Sequence, residues 1–147
     1  MKYEFTVFGP PTGKGRPRFT KSGHTYTPEK TKNYEELVRF SFISSYLDGT
    51  KDAKAPKLIE NPVQANIIAY FEIPKSYSKK KRQQCLENKL PATNKPDTDN
   101  IAKIILDSLN GYAYIDDKQV IDLTVTKLWS DIPRVEVFIN ELRCKDE

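Results

Sequence analysis

The chain has 147 residues, two cysteines, one histidine and a formal net charge of +4. That length can bury one hydrophobic core without disulfide or zinc staples, and it predicts a single domain over residues 1–147. Cys85 and Cys144 are far apart, MKYEFTVFGPP has no long apolar core, and no apolar run is long enough to span a bilayer. These features argue against a disulfide scaffold, a secretory leader and a membrane protein, and point to a cytoplasmic one.

In chain order, Tyr3, Phe5 and Val7 alternate as on a half-buried strand. GPPTGKGRPRF then breaks regular structure with Gly and Pro. Thr27-Pro28 opens a helix of about five turns at ~3.6 residues per turn, through EKTKNYEELVRFSFISSYL. Residues 48–62 read as a polar loop. Val63, Ala65, Ile67, Ala69, Phe71 and Ile73 alternate on a second strand that Pro74 ends. Residues 76–89 predict a basic helix with Ser76 or Ser78 near its cap. Residues 99–110 predict a helix with a buried stripe of Ile101, Ile104, Ile105 and Leu109, stopped at Asn110-Gly111. Ile121, Leu123, Val125 and Trp129 share one face of a third strand. Asp131-Ile132-Pro133 turns into RVEVFINEL, its expected hairpin partner. The order predicts an α/β (α+β) domain: one mixed sheet of about four strands with flanking helices.

The charge is unevenly spread. Lys14, Arg16, Arg18, Lys21, Lys30 and Lys32 face a single acid, Glu29, within residues 14–32, and Lys75, Lys79, Lys80, Lys81 and Arg82 follow in an acid-free run. Either cluster alone reads as a solvated loop. Two of them beside an acidic centre favour nucleic acid, because clustered cations neutralise phosphates and release counterions. Lys14, Arg16, Arg18, Lys21, Lys79, Lys80, Lys81 and Arg82 are the candidate DNA contacts. Tyr26, Tyr77, Tyr112 and Tyr114 have the chemistry to stack on unpaired bases, but such residues more often pack, and none is assigned that role.

The acidic centre is Lys95 to Val120, which holds Asp97, Asp99, Asp107, Asp116 and Asp117. GPPTGKG is one residue too short for a phosphate-binding P-loop and has Gly15 at the magnesium-binding hydroxyl position. DTDNIAKIILDS fails as a calcium loop, with Ala102 at the turn glycine and Ser108 at the bidentate glutamate. One histidine, His24, with no nearby cysteine, argues against zinc and against a serine-hydrolase triad. Oxygen chemistry remains. Asp97 and Asp99 flank a helix start and can converge. Asp99, Lys103 and Asp107 recur every four residues and share one polar face. Asp116-Asp117 follows a short turn that can return it toward Asp97. Singly these are a cap, surface ion pairs and a turn. Together they point to a site whose carboxylates suit Mg²⁺ or Mn²⁺.

KPDTDNIAKIILDSLNG…IDDKQV closely resembles the signature of the RusA family of Holliday-junction resolvases: D-x-D-N, a lysine four residues after the second Asp, an apolar helix, then D-D-x-Q-V. The likeness is dense over 95–120 and looser elsewhere, where the N-terminal strand followed by PP and the basic loop, the final hairpin and the chain length fit the family. The resemblance implies a homodimeric, Mg²⁺-dependent endodeoxyribonuclease, bacterial or phage-encoded, that resolves four-way DNA junctions in recombination and repair. It implies metal ligands Asp97, Asp99 and Asp117 and an essential Lys103. Asp116 is a further candidate ligand, and the tight NGYAY turn leaves open which of Asp116 and Asp117 faces the metal. Asp107 has a family counterpart without a catalytic role. The longer basic loop leaves substrate preference open. A flap or branched-DNA nuclease of the same fold is the first alternative, and a non-catalytic nucleic-acid-binding module with a structural cation is the second.

Overall fold

The computed structural model describes residues 1–46 and 56–143, apart from the side chain of Arg18. Cys144 and most of the expected 48–62 loop lie outside the described residues. The secondary structure runs β1 (Lys2–Phe8), β2 (Arg18–Phe19), β3 (Thr25–Tyr26), α1 (Glu29–Tyr46), β4 (Val63–Glu72), α2 (Lys79–Leu86), α3 (Thr98–Ser108), a 3₁₀ turn (Asp117–Gln119), β5 (Val120–Ser130) and β6 (Arg134–Glu141). One four-stranded mixed sheet, ordered β1-β6-β4-β5, makes this the expected α+β fold. Helix α2 is shorter than expected at both ends, with Ser78 at its cap accepting from the Lys81 N–H at 3.2 Å. The basic loop is less irregular than its composition suggests, because β2 and β3 pair into a small antiparallel arm.

The expected β5–β6 hairpin does not form. β4 lies between the two strands, parallel to β5 and antiparallel to β6. Its inward residues Val63, Ala65, Ile67, Ala69, Phe71 and Ile73 are all buried. A strand that apolar gains most from the sheet interior, and Asp131–Pro133 need span only two strand spacings, about 9.6 Å, across its end. β5 is left as an edge strand. Segment 90–94 covers its far half, where Trp129 Nε1 donates to the Leu90 carbonyl at 3.0 Å and Lys127 Nζ donates to the Asn94 carbonyl. Ile121 and Leu123, expected on its buried face, are 67% and 43% exposed, because that cover does not reach the strand's start.

The core lies between the sheet and helices α1 and α3. Phe42 of α1 meets Tyr3 and Phe5 of β1 edge-on, at centroid distances of 5.2 and 5.4 Å. Ile101, Ile104, Ile105 and Leu109 are fully buried, as their spacing predicts. Burying one face of α3 turns Asp99, Lys103 and Asp107 outward together.

Two glycines let the strand-to-helix loop lie close, Gly13 against α3 and Gly15 against the start of α1. A β-carbon on Gly13 would lie 2.8 Å from Pro96 Cβ and 3.3 Å from Asn100 Cβ. One on Gly15 would lie 2.8 Å from Thr31 Oγ1 and 3.0 Å from Pro28 Cγ. The Gly15 N–H donates to Thr31 Oγ1 at 2.9 Å. Gly13→Ala is expected to lose ~1–3 kcal/mol by overpacking, read as a lower urea midpoint at unchanged m-value. Wild-type stability would show that the loop does not dock here.

Candidate active site

Asp97 stands at the N-cap of α3 with extended backbone (φ −76°, ψ 166°), and Asp99 is in the first turn. Neither is buried. Lys103 follows one turn on and is also exposed. Asp107 ends the charged face, eight residues after Asp99, which at 1.5 Å per residue is about 12 Å along the axis. The half-buried Asp107 is the residue that Asp117 meets: the two carboxyls face each other closely enough to share a proton. One chain therefore brings Asp117 to Asp107, at the far end of the helix from Asp97 and Asp99. Among the described residues no three His, Cys, Asp or Glu side chains are grouped to hold a metal ion.

The approach of Asp117 depends on Gln119. Its Oε1 accepts the Ile115 and Asp116 N–H groups at 3.0 and 2.9 Å. Its Nε2 donates to the Ile59 and Asn61 carbonyls at 2.8 and 3.0 Å. Asp116 caps the 3₁₀ turn, accepting from the Lys118 N–H at 3.2 Å. The adjacent acids are thus divided: Asp116 is used by the backbone, and Asp117 faces α3. Behind them Tyr114, fully buried, donates to the Leu106 carbonyl at 2.6 Å, so it is a core residue and not a stacking platform.

The electrostatics follow from this packing. The Asp117 carboxyl is raised above the ordinary carboxylate range, first by its hydrogen bond with Asp107, then by burial and by the negative charges of Asp107 and Asp116. For Asp107, burial pushes upward, but hydrogen bonds from Lys14 and Asp117 and the charges of Lys14 and Lys103 outweigh it and hold the carboxyl low. Lys14 Nζ is ion-paired with Asp107 Oδ2. The donor chemistry suits a hard divalent ion, since Mg²⁺ is commonly bound through one or two carboxylates with water and substrate phosphate completing its shell.

Two basic clusters frame this centre at different distances. A cleft of about 720 Å³ opens beside Asp97 and Asn100, with Lys14, Arg16, Lys30 and Lys95 on its walls. Arg16 and Lys21 are exposed, and the β2–β3 arm carries Phe19, 73% exposed. On α2, Lys79 and Lys80 are exposed, Lys81 lies 3.9 Å over the Tyr77 ring, and Arg82 is ion-paired with Asp131. Asp131 follows the end of β5 and Asp117 precedes its start. Ten residue steps at ~3.3 Å put them roughly 30 Å apart. Sequence reasoning assigned no role to Asp107, although its four-residue spacing from Lys103 was the signal. Nothing local marks Lys14 as its partner.

The fold is an α+β domain that sets carboxylates along one helix, beside a basic cleft. The chain belongs to the endodeoxyribonuclease RusA family, whose family model matches residues 9–140. It is also 38% identical over 144 residues to uncharacterized protein YqaN of Bacillus subtilis (strain 168), covering 95% of this chain and 96% of that protein. Family membership implies a nuclease acting on Holliday-junction DNA. Among the described residues no helix is long and apolar enough to cross a membrane.

Two outcomes test this geometry. Gln119→Ala removes all four anchoring bonds and is expected to lose ~1–3 kcal/mol, with faster amide exchange across 115–119; slow exchange there would disprove the anchor. Asp117→Asn tests the acid pair. With the folded pKa raised, the stability from protonated Asp117 is complete below the unfolded value of about 3.9 and is lost as pH rises through the folded one. Asn resembles the protonated form at every pH. In metal-free buffer near pH 7.5 this variant is expected to melt ~1–3 °C above wild type, and the gain should shrink as pH falls toward about 4.

Proposed function

We propose that this protein is a Mg²⁺-dependent endonuclease that resolves four-way DNA junctions as a homodimer, with Mn²⁺ able to replace Mg²⁺, in recombination and repair. The observation that carries this reading is the family's D-x-D-N…D-D-x-Q-V set arranged around one helix, with the basic cleft beside it.

In this reading Asp97 and Asp99 are the metal ligands at the start of α3 and Asp117 is the metal ligand at its other end, so the two groups hold separate ions, and Asp116 supports Asp117 from its capping position. Such an ion, when bound, supplies Lewis-acid polarisation of the scissile phosphate and a water of lowered pKa. Lys103, between the two acidic ends of α3, stabilises charge developing on the phosphoryl oxygens. Arg16, Arg18 and Lys21 hold backbone phosphates near the cleft. Lys79, Lys80, Lys81 and Arg82 hold backbone about 30 Å away, close to one turn of duplex. Such contacts position DNA and carry no sequence information. Two-fold symmetry would present two sites to a junction that is itself nearly two-fold, giving paired nicks with 5′-phosphate and 3′-hydroxyl ends.

The exposed Phe19 and Tyr26 on the β2–β3 arm favour a second reading, in which unstacked bases at any branch are accepted and flaps are cut as well. Cleavage of a four-way junction, a flap, a fork and a linear duplex in Mg²⁺ separates the two. Asp99→Asn is expected to lower kcat by at least about a hundredfold while DNA affinity holds or rises, because a negative charge near phosphate is gone. Normal cutting by this variant would remove Asp99 from the site. Binding with no turnover on any DNA form would leave a non-catalytic binding module.

A further inference from the structure

Lys14 stands apart from the other cations of its loop. Gly13 is wedged against Pro96 and Asn100, and Gly15 is wedged against Pro28 and Thr31 and hydrogen-bonded to the latter. A side chain at Gly13 would push the loop away from α3, and one at Gly15 would push it away from the start of α1. The lysine between them is therefore carried by backbone fixed on both sides. Its ammonium is directed at the end of the charged face of α3, where it donates to Asp107 Oδ2, the two side chains being 28% and 23% exposed. Arg16 and Lys21, farther along the loop, are exposed.

We propose that Lys14 is a positioning residue of the carboxylate centre, a built-in counter-cation that holds Asp107 and through it orients Asp117, and is not a DNA-backbone contact. The inference rests on the nuclease reading above and adds to it a residue from the basic loop. Two carboxyls that face each other repel when both are ionised, and unrestrained side chains would turn apart. A fixed ammonium offsets one of the two charges and keeps Asp107 in place, so Asp117 meets a defined neighbour. Partners one step behind a ligand set its orientation, and losing one commonly costs 10–100-fold in activity or affinity. An ammonium committed to a half-buried carboxylate is poorly placed to take a phosphate as well.

The test compares wild type, Lys14→Met, Asp107→Asn and the double variant. DNA affinity is measured in EDTA as a function of salt. Melting temperature is measured against Mn²⁺ without DNA. Turnover is measured at saturating junction in Mg²⁺. Lys14→Met is expected to bind DNA within about twofold of wild type with an unchanged salt slope, in contrast to the slope change of about one that a lost phosphate contact gives. Its Mn²⁺ half-point should rise by roughly 3–20-fold, because the loss of a held Asp117 outweighs the removal of a neighbouring positive charge. Its kcat should drop ~10–100-fold, and the double variant should be no slower than Asp107→Asn alone, as residues acting through one contact are not additive. Weaker DNA binding with a shallower salt slope, at wild-type kcat and Mn²⁺ response, would make Lys14 a backbone contact and overturn the assignment. So would an unchanged Lys14→Met, or independent effects in the double variant. A wild type that neither cuts any DNA form nor responds to Mn²⁺ would instead overturn the nuclease reading, an outcome distinct from a Mn²⁺ response that Lys14→Met leaves unaltered.

Discussion

Helix α3 must bury Ile101, Ile104, Ile105 and Leu109 against the sheet, and the arrangement of charge in this protein follows from that requirement. With the apolar stripe inward, Asp99, Lys103 and Asp107 have only the outer face to occupy. Everything else in the site comes to that face. The basic loop docks on it through Gly13, the 3₁₀ turn brings Asp117 to its end, and the N-cap sets Asp97 at its start. The core thus fixes the site by exclusion: no rotation of α3 hides the carboxylates without exposing four large apolar side chains.

The opposed shifts of Asp107 and Asp117 follow from the same packing. Both are partly buried acids on neighbouring elements, yet one is held low and the other raised. The difference is a lysine. Asp107 has Lys14 in contact and Lys103 nearby, whereas Asp117 faces Asp107 and has Asp116 beside it.

Much of this was legible residue by residue. Alternation identified β1 and β4, a 3.6-residue period identified the buried stripe of α3, and i, i+4 spacing put its charges on one side. These are local consequences of backbone geometry and need no knowledge of the fold. The strand pairing was not legible. A short turn between β5 and β6 suggested a hairpin, but β4, the more apolar strand, took the place between them, and competition among strands is a property of the whole sheet. The exposure of Ile121 and Leu123 has the same origin: alternation says which side of a strand is apolar and not whether anything covers it.

The site divides along the same line. The sequence by itself determined the kinds of group available, namely five aspartates within residues 95–120 and two basic clusters with no usable histidine or zinc motif, and it determined which of them share a helix face, because those relations lie within a few residues. Only the tertiary structure decided that Asp117 meets Asp107, that Asp116 is used as a cap, and that Lys14 reaches an aspartate 93 residues away. Local pattern cannot encode such meetings. They depend on how far α3 extends, on the four bonds that anchor Gln119, and on two glycines that let the loop approach closely enough to place an ammonium against a carboxylate.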